Sequence, residues 1–166
     1  MKILIAYASK TGTVKQAAEL LASGLQNHTV TLADLNETDP VPGDFDYIVL
    51  GGPIRAAKAH KSLRNYLKRR ETALCAVPHT LFLCCAYADL FEDYALMTYS
   101  APLLESAEDL LYFGGVLDLS AQRGTDKWIA RMMRNEIIED EDGEGVLPGL
   151  MPEHVRILAD RLRVRV

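Results

Sequence analysis

The chain has 166 residues, of which 49% are hydrophobic and 25% charged. This balance is typical of one globular domain with a single core, and it excludes a disordered or fibrous chain. The formal net charge of −5 disfavours a nucleic-acid-binding protein, because such a surface needs clustered lysine and arginine to displace counterions from phosphates. We therefore expect one domain over residues 1–166, with small molecules or basic proteins as partners.

The sequence contains neither a membrane span nor the layout of a signal peptide. No apolar run approaches the ~20 residues that cross a bilayer. At the N-terminus, Met1 and Lys2 lead directly into the strand-like residues 3–5. We expect a cytoplasmic protein without an integral membrane segment.

Neither the cysteines nor the acidic residues form a metal-binding pattern. Cys75, Cys84 and Cys85 are odd in number and lack CxxC spacing, which disfavours a disulfide framework and a zinc site. The six carboxylates between residues 136 and 144 do not have the spacing of a calcium loop. We expect no bound metal, small buried cysteine side chains and a solvated acidic loop.

Apolar strand-like runs alternate with helical stripes along the chain. The predicted strands lie at residues 3–8, 28–35, 47–50, 80–85 and 111–117. The predicted helices carry apolar side chains at 3.6-residue spacing and lie at residues 14–25, 63–74, 102–107, 128–137 and 152–162. This alternation predicts a three-layer α/β fold with a doubly wound, five-stranded parallel sheet, whose ligand site lies at the carboxyl ends of the strands.

A cluster of hydroxyl residues and a glycine follows the first predicted strand. The cluster comprises Ser9, Lys10, Thr11, Gly12, Thr13 and Val14. Free N–H groups and the positive end of the helix dipole converge there, so the loop can bind an anion. Helix capping is the alternative for a single hydroxyl. The loop lacks the G-x-G-x-x-G and G-K-[ST] patterns, which disfavours dinucleotides and P-loop nucleotides and leaves a monophosphate cofactor.

The segment from Tyr7 to Val14, followed by Ala18 and Leu21, resembles the FMN-phosphate signature of flavodoxins. In that family, hydroxyl residues stand at the positions of Ser9 and Thr11, glycine follows, and a third threonine stands where this chain has Val14. The resemblance implies FMN binding with one hydrogen bond missing, unless Thr13 supplies it. A charge-assisted hydrogen bond contributes about 1.5–3 kcal/mol, so its loss weakens FMN about tenfold or more. The charge of Lys10 offers compensation.

The resemblance also implies that the flavin ring lies between the loops that follow the third and fourth strands. Gly51 and Gly52 then let backbone approach a flat ligand, the alternative being an ordinary strand-ending turn. Tyr87 offers an aromatic face. The residues expected to contact the cofactor in these loops are Pro53, Ile54, Arg55, Ala56, Cys85, Ala86, Tyr87 and Ala88.

Leu50-Gly51, Ile54-Arg55 and His60 together resemble the corresponding loop of flavodoxin-type protoporphyrinogen oxidases. That family passes electrons from a porphyrinogen through FMN to a quinone. The resemblance implies a partner that is a porphyrinogen or a quinone, with Arg55 beside the substrate or the reduced flavin. His60 could exchange protons, or it could simply open the next helix.

The absence of a stacking aromatic separates two kinds of flavin protein. Electron carriers usually place an aromatic residue after the third strand, where this chain has Ala56 and Ala57. The small residues favour an open ring face. The sequence thus predicts an FMN-binding redox protein, either an electron carrier with a redox partner protein or an FMN-dependent oxidoreductase, and assigns no catalytic residue.

Two other functions are compatible with the same fold class. A response-regulator receiver needs an aspartate after the third strand and an acidic pair after the first, where this chain has residues 50–52 and Ser9-Lys10. The receiver is therefore excluded. The remaining alternative is a flavodoxin-like domain that has lost FMN and serves as an interaction module, which Val14 and the missing stacking residue leave open.

Overall fold

The computed structural model describes residues 1–9, 12–114 and 150–165. The strands are β1 (Lys2–Tyr7), β2 (Thr29–Asp34), β3 (Tyr47–Arg55), β4 (Lys58–Ala59), β5 (His79–Cys84) and β6 (Asp109–Tyr112). The helices are α1 (Thr13–Ser23), α2 (Lys61–Cys75), α3 (Phe91–Thr98), α4 (Ala101–Ser106) and α5 (Pro152–Arg163). Within these residues, no helix combines the length and the apolar character that crossing a bilayer requires.

The five longer strands form one parallel sheet in the order β2-β1-β3-β5-β6, and β4 pairs with β3 in antiparallel orientation. The chain passes from β1 to β2 on one side and then to β3 on the other, so the strand order reverses at β1. Ligands of such sheets bind at the carboxyl ends of the strands that flank the reversal. The predicted doubly wound five-stranded parallel sheet is confirmed.

Helices cover both faces of the sheet, because alternate strand residues point to opposite sides. In β3, Ile48 and Leu50 belong to the core layer of α2, α3 and α4, whereas Tyr47 and Val49 belong to that of α1 and α5. The apolar stripes predicted for α1, α2 and α5 are buried as expected. They include Val14, Ala17, Ala18, Leu21, Leu63, Tyr66, Leu67, Leu74, Val155, Leu158, Ala159 and Leu162.

Strand β3 is longer than the sequence predicts. The glycines and proline of residues 51–53 predict a strand end at Leu50, but β3 continues to Arg55. It stays paired because Gly51, Gly52 and Pro53 lie opposite consecutive residues of β5, and its last residues pair with β4. The loop predicted after the third strand is therefore a β-hairpin.

Strand β6 begins at Asp109, two residues before the predicted start, and ends at Tyr112. Asp109 is accommodated in a strand because Arg161 of α5 donates a hydrogen bond to its carboxylate at 2.5 Å. Residues 115–117 of the predicted strand lie outside the described residues. So do the predicted helix at 128–137 and the acidic segment at 136–144.

At the amino end of the sheet, Arg165 and Glu108 form an ion pair. Arg165 donates to both carboxylate oxygens of Glu108, with Nη2 2.7 Å from Oε1. Its guanidinium also lies 4.8 Å from the ring centroid of Tyr47. The Arg165 hydrogen bond holds the pKa of Glu108 below its ordinary value. These contacts stabilise the amino end of the sheet. The candidate site lies at the opposite, carboxyl end.

Candidate functional site

The loop after β1 leads into a helix that has no side-chain cap. Gly12 adopts a left-handed conformation (φ 88°) as the N-cap of α1, and its N–H donates to Ser9 Oγ at 3.0 Å. The first turn of α1 contains no acidic residue. The N–H groups of a first helical turn have no acceptor within the helix, so they are available to an anion. Lys10 and Thr11 lie outside the described residues.

The side chain of Val14 lies in the core of the protein. It is 1% exposed and packs in the core with the strands, because the inward stripe of α1 begins there. Thr13 beside it is also buried, at 9% exposure. Val14 therefore faces the predicted site through its backbone N–H in the first turn of the helix.

A chain of polar contacts ties the β1 loop to the start of α2. Asn36 Nδ2 donates to the carbonyl oxygen of Ser9 at 3.1 Å and to Asp34 Oδ1 at 2.9 Å. Ser62 Oγ donates to Asn36 Oδ1 at 2.9 Å. The Nδ1 atom of His60 lies 2.7 Å from Ser62 Oγ. The contacts hold the loop after β1 and the N-terminus of α2 in a fixed relation.

His60 has the structural role that the sequence left as its alternative. It is the N-cap of α2, where its Nδ1 accepts from the N–H of Ser62 at 3.3 Å. The sequence reasoning missed Asn36 and Ser62 as supports of the site. The run Asp34-x-Asn36 after β2 was the available signal, because side chains of this kind form local turns at strand ends.

Two alanines in an unusual backbone conformation form the turn of the hairpin between β3 and β4. Arg55 and Lys58 are paired, and between them Ala56 and Ala57 have φ values of 48° and 59°. A two-residue hairpin with both central residues at positive φ is a type I′ turn, which normally uses asparagine and glycine. The conformation costs each alanine about 1–2 kcal/mol. The turn therefore projects small, exposed side chains at a strained position.

The predicted hairpin contacts divide into buried and accessible residues. Ile54 is 6% exposed and packs with Ala59 in the core, so its side chain is not available for the predicted contact with a cofactor. Pro53 and Arg55 are half-buried, and Ala56 is exposed. Burial lowers the pKa of Arg55 from its ordinary value, but a guanidinium stays charged at physiological pH. The hairpin thus places one partly desolvated cation at this edge.

The loop after β5 is fixed at its first residue. Tyr112 Oη donates to the carbonyl oxygen of Cys85 at 2.9 Å, and Cys85 Sγ donates to the carbonyl oxygen of Tyr87 at 3.3 Å. Cys85 is 2% exposed, so its side chain is likewise not available for the predicted contact with a cofactor. Ala86 and Tyr87 are half-buried and Ala88 is exposed, which leaves these three accessible to a ligand.

The two adjacent thiols of β5 lie in different core layers. Cys84 packs on the side of α1 and α5, whereas Cys85 packs on the side of α2, α3 and α4. Burial raises the pKa of Cys85 to about 11 and raises that of Cys84 further. Both thiols are therefore protonated near neutral pH. All three cysteines are free, with Cys75 half-buried on α2.

Gly51 and Gly52 allow β3 to pack closely against its neighbours. A Cβ on Gly51 would lie 2.2 Å from the carbonyl oxygen of Phe82 and 2.6 Å from its ring. A Cβ on Gly52 would lie 3.2 Å from Leu63 Cδ2. Glycine is therefore required at position 51, where β3 lies close to the backbone of β5, whereas Gly52 faces the flexible end of a side chain of α2.

Strand register brings the three loops to one edge. Tyr7 of β1 lies opposite Gly51 of β3, which lies opposite Phe82 of β5. The loops that follow these strands consequently surround the point at which the strand order reverses. The described predicted residues that remain accessible or part-accessible there are Ser9, Gly12, Pro53, Arg55, Ala56, Ala86, Tyr87 and Ala88.

The sequence matches the family model described as Flavodoxin domain over residues 4–143. The chain belongs to the flavodoxin-domain family. No curated protein matches the sequence. In this flavodoxin domain, the loops lie where the strand order reverses. Open α/β sheets generally bind ligands at this point, and flavodoxins are a standard example of that rule.

Solved flavodoxins share this fold. The oxidised flavodoxin 2 of Bacillus cereus has a TM-score of 0.57 and 22% identity, covering 84% of this chain and 99% of its own. The flavodoxin of Fusobacterium nucleatum bound to flavin mononucleotide has a TM-score of 0.56 and 13% identity, covering 98% of this chain and 96% of its own. At these identities the likeness establishes the flavodoxin fold.

Proposed function

We propose that this flavodoxin-domain protein binds FMN and transfers electrons through it. The observation that carries the proposal is the start of α1, where Gly12 is left-handed, no side chain caps the helix and the first turn contains no acidic residue. The same fold holds flavin mononucleotide in the Fusobacterium protein. The free thiols are typical of a reducing compartment and support cytoplasmic action.

The residues present fit a flavin monophosphate. A Cβ added at Gly12 would meet no described atom within 4 Å, so this position has open space next to the first-turn N–H groups. We assign the phosphate to residues 9–14, including Lys10 and Thr11 from the sequence pattern, and the ring to the space between the hairpin and residues 85–88. When bound, FMN supplies one- and two-electron transfer.

The chain's own residues hold and orient this group. The α1 N–H groups and the Gly12 conformation hold a phosphate in place. The Asn36, Ser62 and His60 contacts keep its loop aligned with the hairpin. Arg55 adds positive charge beside the ring, which favours negative charge on the reduced cofactor or on a substrate.

FMN should bind near one per chain and at least about a hundredfold more tightly than riboflavin, because two charge-assisted hydrogen bonds to the phosphate together contribute about 3 kcal/mol or more. Quenching of flavin fluorescence in parallel titrations measures both affinities. Equal affinities would contradict the phosphate role of residues 9–14, and no FMN binding at all would favour the interaction module.

We further propose that the FMN form acts on an organic substrate, oxidising a porphyrinogen or reducing a quinone. The small exposed side chain of Ala56 leaves room on the ring face that an aromatic residue would occupy. Arg55 is the half-buried cation of the hairpin, and a guanidinium with less water around it pairs more strongly with a propionate. These two features support an enzyme over a dedicated carrier.

Replacing Arg55 with glutamine should raise the KM for protoporphyrinogen about tenfold while changing FMN affinity much less, because the lost pairing acts on the substrate carboxylate. Anaerobic turnover with protoporphyrinogen and with a water-soluble quinone, beside an FMN titration, measures both quantities. Arg156→Gln, an exposed cation of α5, is the matched control. Absence of turnover combined with ready electron exchange with a small redox protein would establish a carrier instead.

A further inference from the structure

The outer face of α2 carries a line of cations that continues from the hairpin. We call Lys58, Lys61, Arg64 and Lys68 the basic stripe; all four are exposed. The three helical members have i, i+3 and i+7 spacing, which places them within about 60° of one another on a helix of 3.6 residues per turn. The buried residues of α2 lie on the opposite side.

The charge of the basic stripe is not balanced by its surroundings. Among the described residues, no carboxylate forms an ion pair with a stripe member. The neighbouring Arg69 and Arg70 differ, because Asp39 lies 3.2 Å and 2.9 Å from their guanidinium nitrogens. The one carboxylate of α2, Glu71, is half-buried on the same face, one turn beyond Lys68 at the end of the stripe away from the hairpin. A one-sign line of this kind generates a local positive potential in a chain of negative net charge.

The basic stripe begins at the edge where we place the flavin ring. Lys58 is paired with Arg55 across the hairpin. Arg64 Nε donates to the carbonyl oxygen of Ala59 at 3.2 Å, which holds this guanidinium against the hairpin. From Lys61 to Lys68 the helix rises about 10 Å. A partner that covers the stripe would consequently lie beside the proposed cofactor.

The composition of the face favours a protein partner over a lipid surface. The exposed residues of α2 are polar or charged throughout, so the face offers no apolar side chain for insertion into a bilayer. The fixed charges suit a complementary acidic surface, which accelerates encounter. We propose that an acidic redox protein docks on the basic stripe and exchanges electrons with the flavin at the hairpin edge. The inference rests on the proposed FMN function.

Electrons pass one at a time from the partner to the cofactor. Each encounter oxidises the partner's reduced centre by one electron and delivers that electron to the cofactor. Two encounters complete the reduction, with two protons taken from solvent. The probe is a strongly acidic [2Fe–2S] ferredoxin in its reduced form, mixed anaerobically with the FMN-loaded protein in a stopped-flow instrument.

The double variant Lys61→Glu/Lys68→Glu should lower the second-order rate constant at least about tenfold at low salt, because steering by opposite charges contributes 10- to 10³-fold. The difference should vanish in high salt, where charges are screened. The control is Lys2→Glu/Arg156→Glu, which changes net charge equally at two exposed residues away from α2, and its rate should stay within about twofold.

Further readouts separate the proposals. Reduction by photoreduced deazariboflavin, a neutral donor, should be equal in all variants, and its failure in the parent chain would count against the FMN function alone. Binding of fluorescently labelled ferredoxin, with and without FMN, tests docking directly. Equal losses in the stripe and control variants would overturn the proposal. So would stripe-dependent sedimentation with phosphatidylserine vesicles while the ferredoxin rate and binding stay unchanged.

Discussion

Replacing Gly12 with valine is expected to weaken FMN binding at least about a hundredfold. The cause is conformation rather than collision, since a Cβ there would meet no described atom within 4 Å, whereas φ is +88°. A β-branched residue avoids positive φ, so the start of α1 would reorient. The Gly12 hydrogen bond to Ser9 would then be lost and the first-turn N–H groups would turn away from the phosphate. The loss of two charge-assisted hydrogen bonds corresponds to about 3 kcal/mol or more.

Fluorescence titration with FMN measures this loss, with circular dichroism as a check on folding. Gly43→Val is the matched control, because a Cβ at Gly43 also meets nothing within 4 Å and its φ is not positive. Gly12→Asn should keep most of the affinity, since asparagine tolerates the left-handed region. Wild-type affinity in the Gly12→Val variant would move the phosphate site elsewhere.

Gly51→Ala is expected to destabilise the fold by about 3 kcal/mol or more, a large part of the 5–15 kcal/mol typical of a domain. The new Cβ would lie 2.2 Å from a backbone oxygen of Phe82, and that atom cannot move without disturbing the pairing of β3 with β5. Urea unfolding followed by circular dichroism measures the change.

The neighbouring glycine provides a matched control for this experiment. Gly52→Ala should cost about 1 kcal/mol or less, because its Cβ would meet the flexible end of Leu63 at 3.2 Å. A loss below 1 kcal/mol for Gly51→Ala, or equal losses at both positions, would show that β3 and β5 are not as close as described.

The strand order was predictable because buried parallel strands are continuous apolar runs and the helices between them have clear stripes. The end of β3 was not predictable, because Gly51 and Gly52 are also typical of a turn. Only their pairing with β5 shows that the strand continues. Ile54 continues the two-residue alternation from Leu50, and Cys85 continues that from Leu83. Extending each alternation past the expected strand end would have placed both side chains in the core.

The candidate site was predictable to the level of its loops. Val14 lay on the predicted inward stripe of α1, which already argued against a role in binding phosphate through its side chain. The contact of Ser62 with Asn36 joins residues 26 positions apart. Such contacts depend on how elements pack, so no local pattern contains them. The unbalanced charge of the basic stripe likewise required knowing which arginines Asp39 neutralises.

Because Cys84 and Cys85 lie in two different core layers, they cannot form a redox-active disulfide. Adjacent strand residues direct their Cβ atoms apart, so the two sulfurs cannot join without unpairing β5. Cys75 precedes β5 and lies beyond its other end, about 16 Å of strand away. The three cysteines therefore provide no dithiol couple that could exchange electrons with a cofactor. Adding or removing thiol reagents should leave the redox titration curve of the protein unchanged.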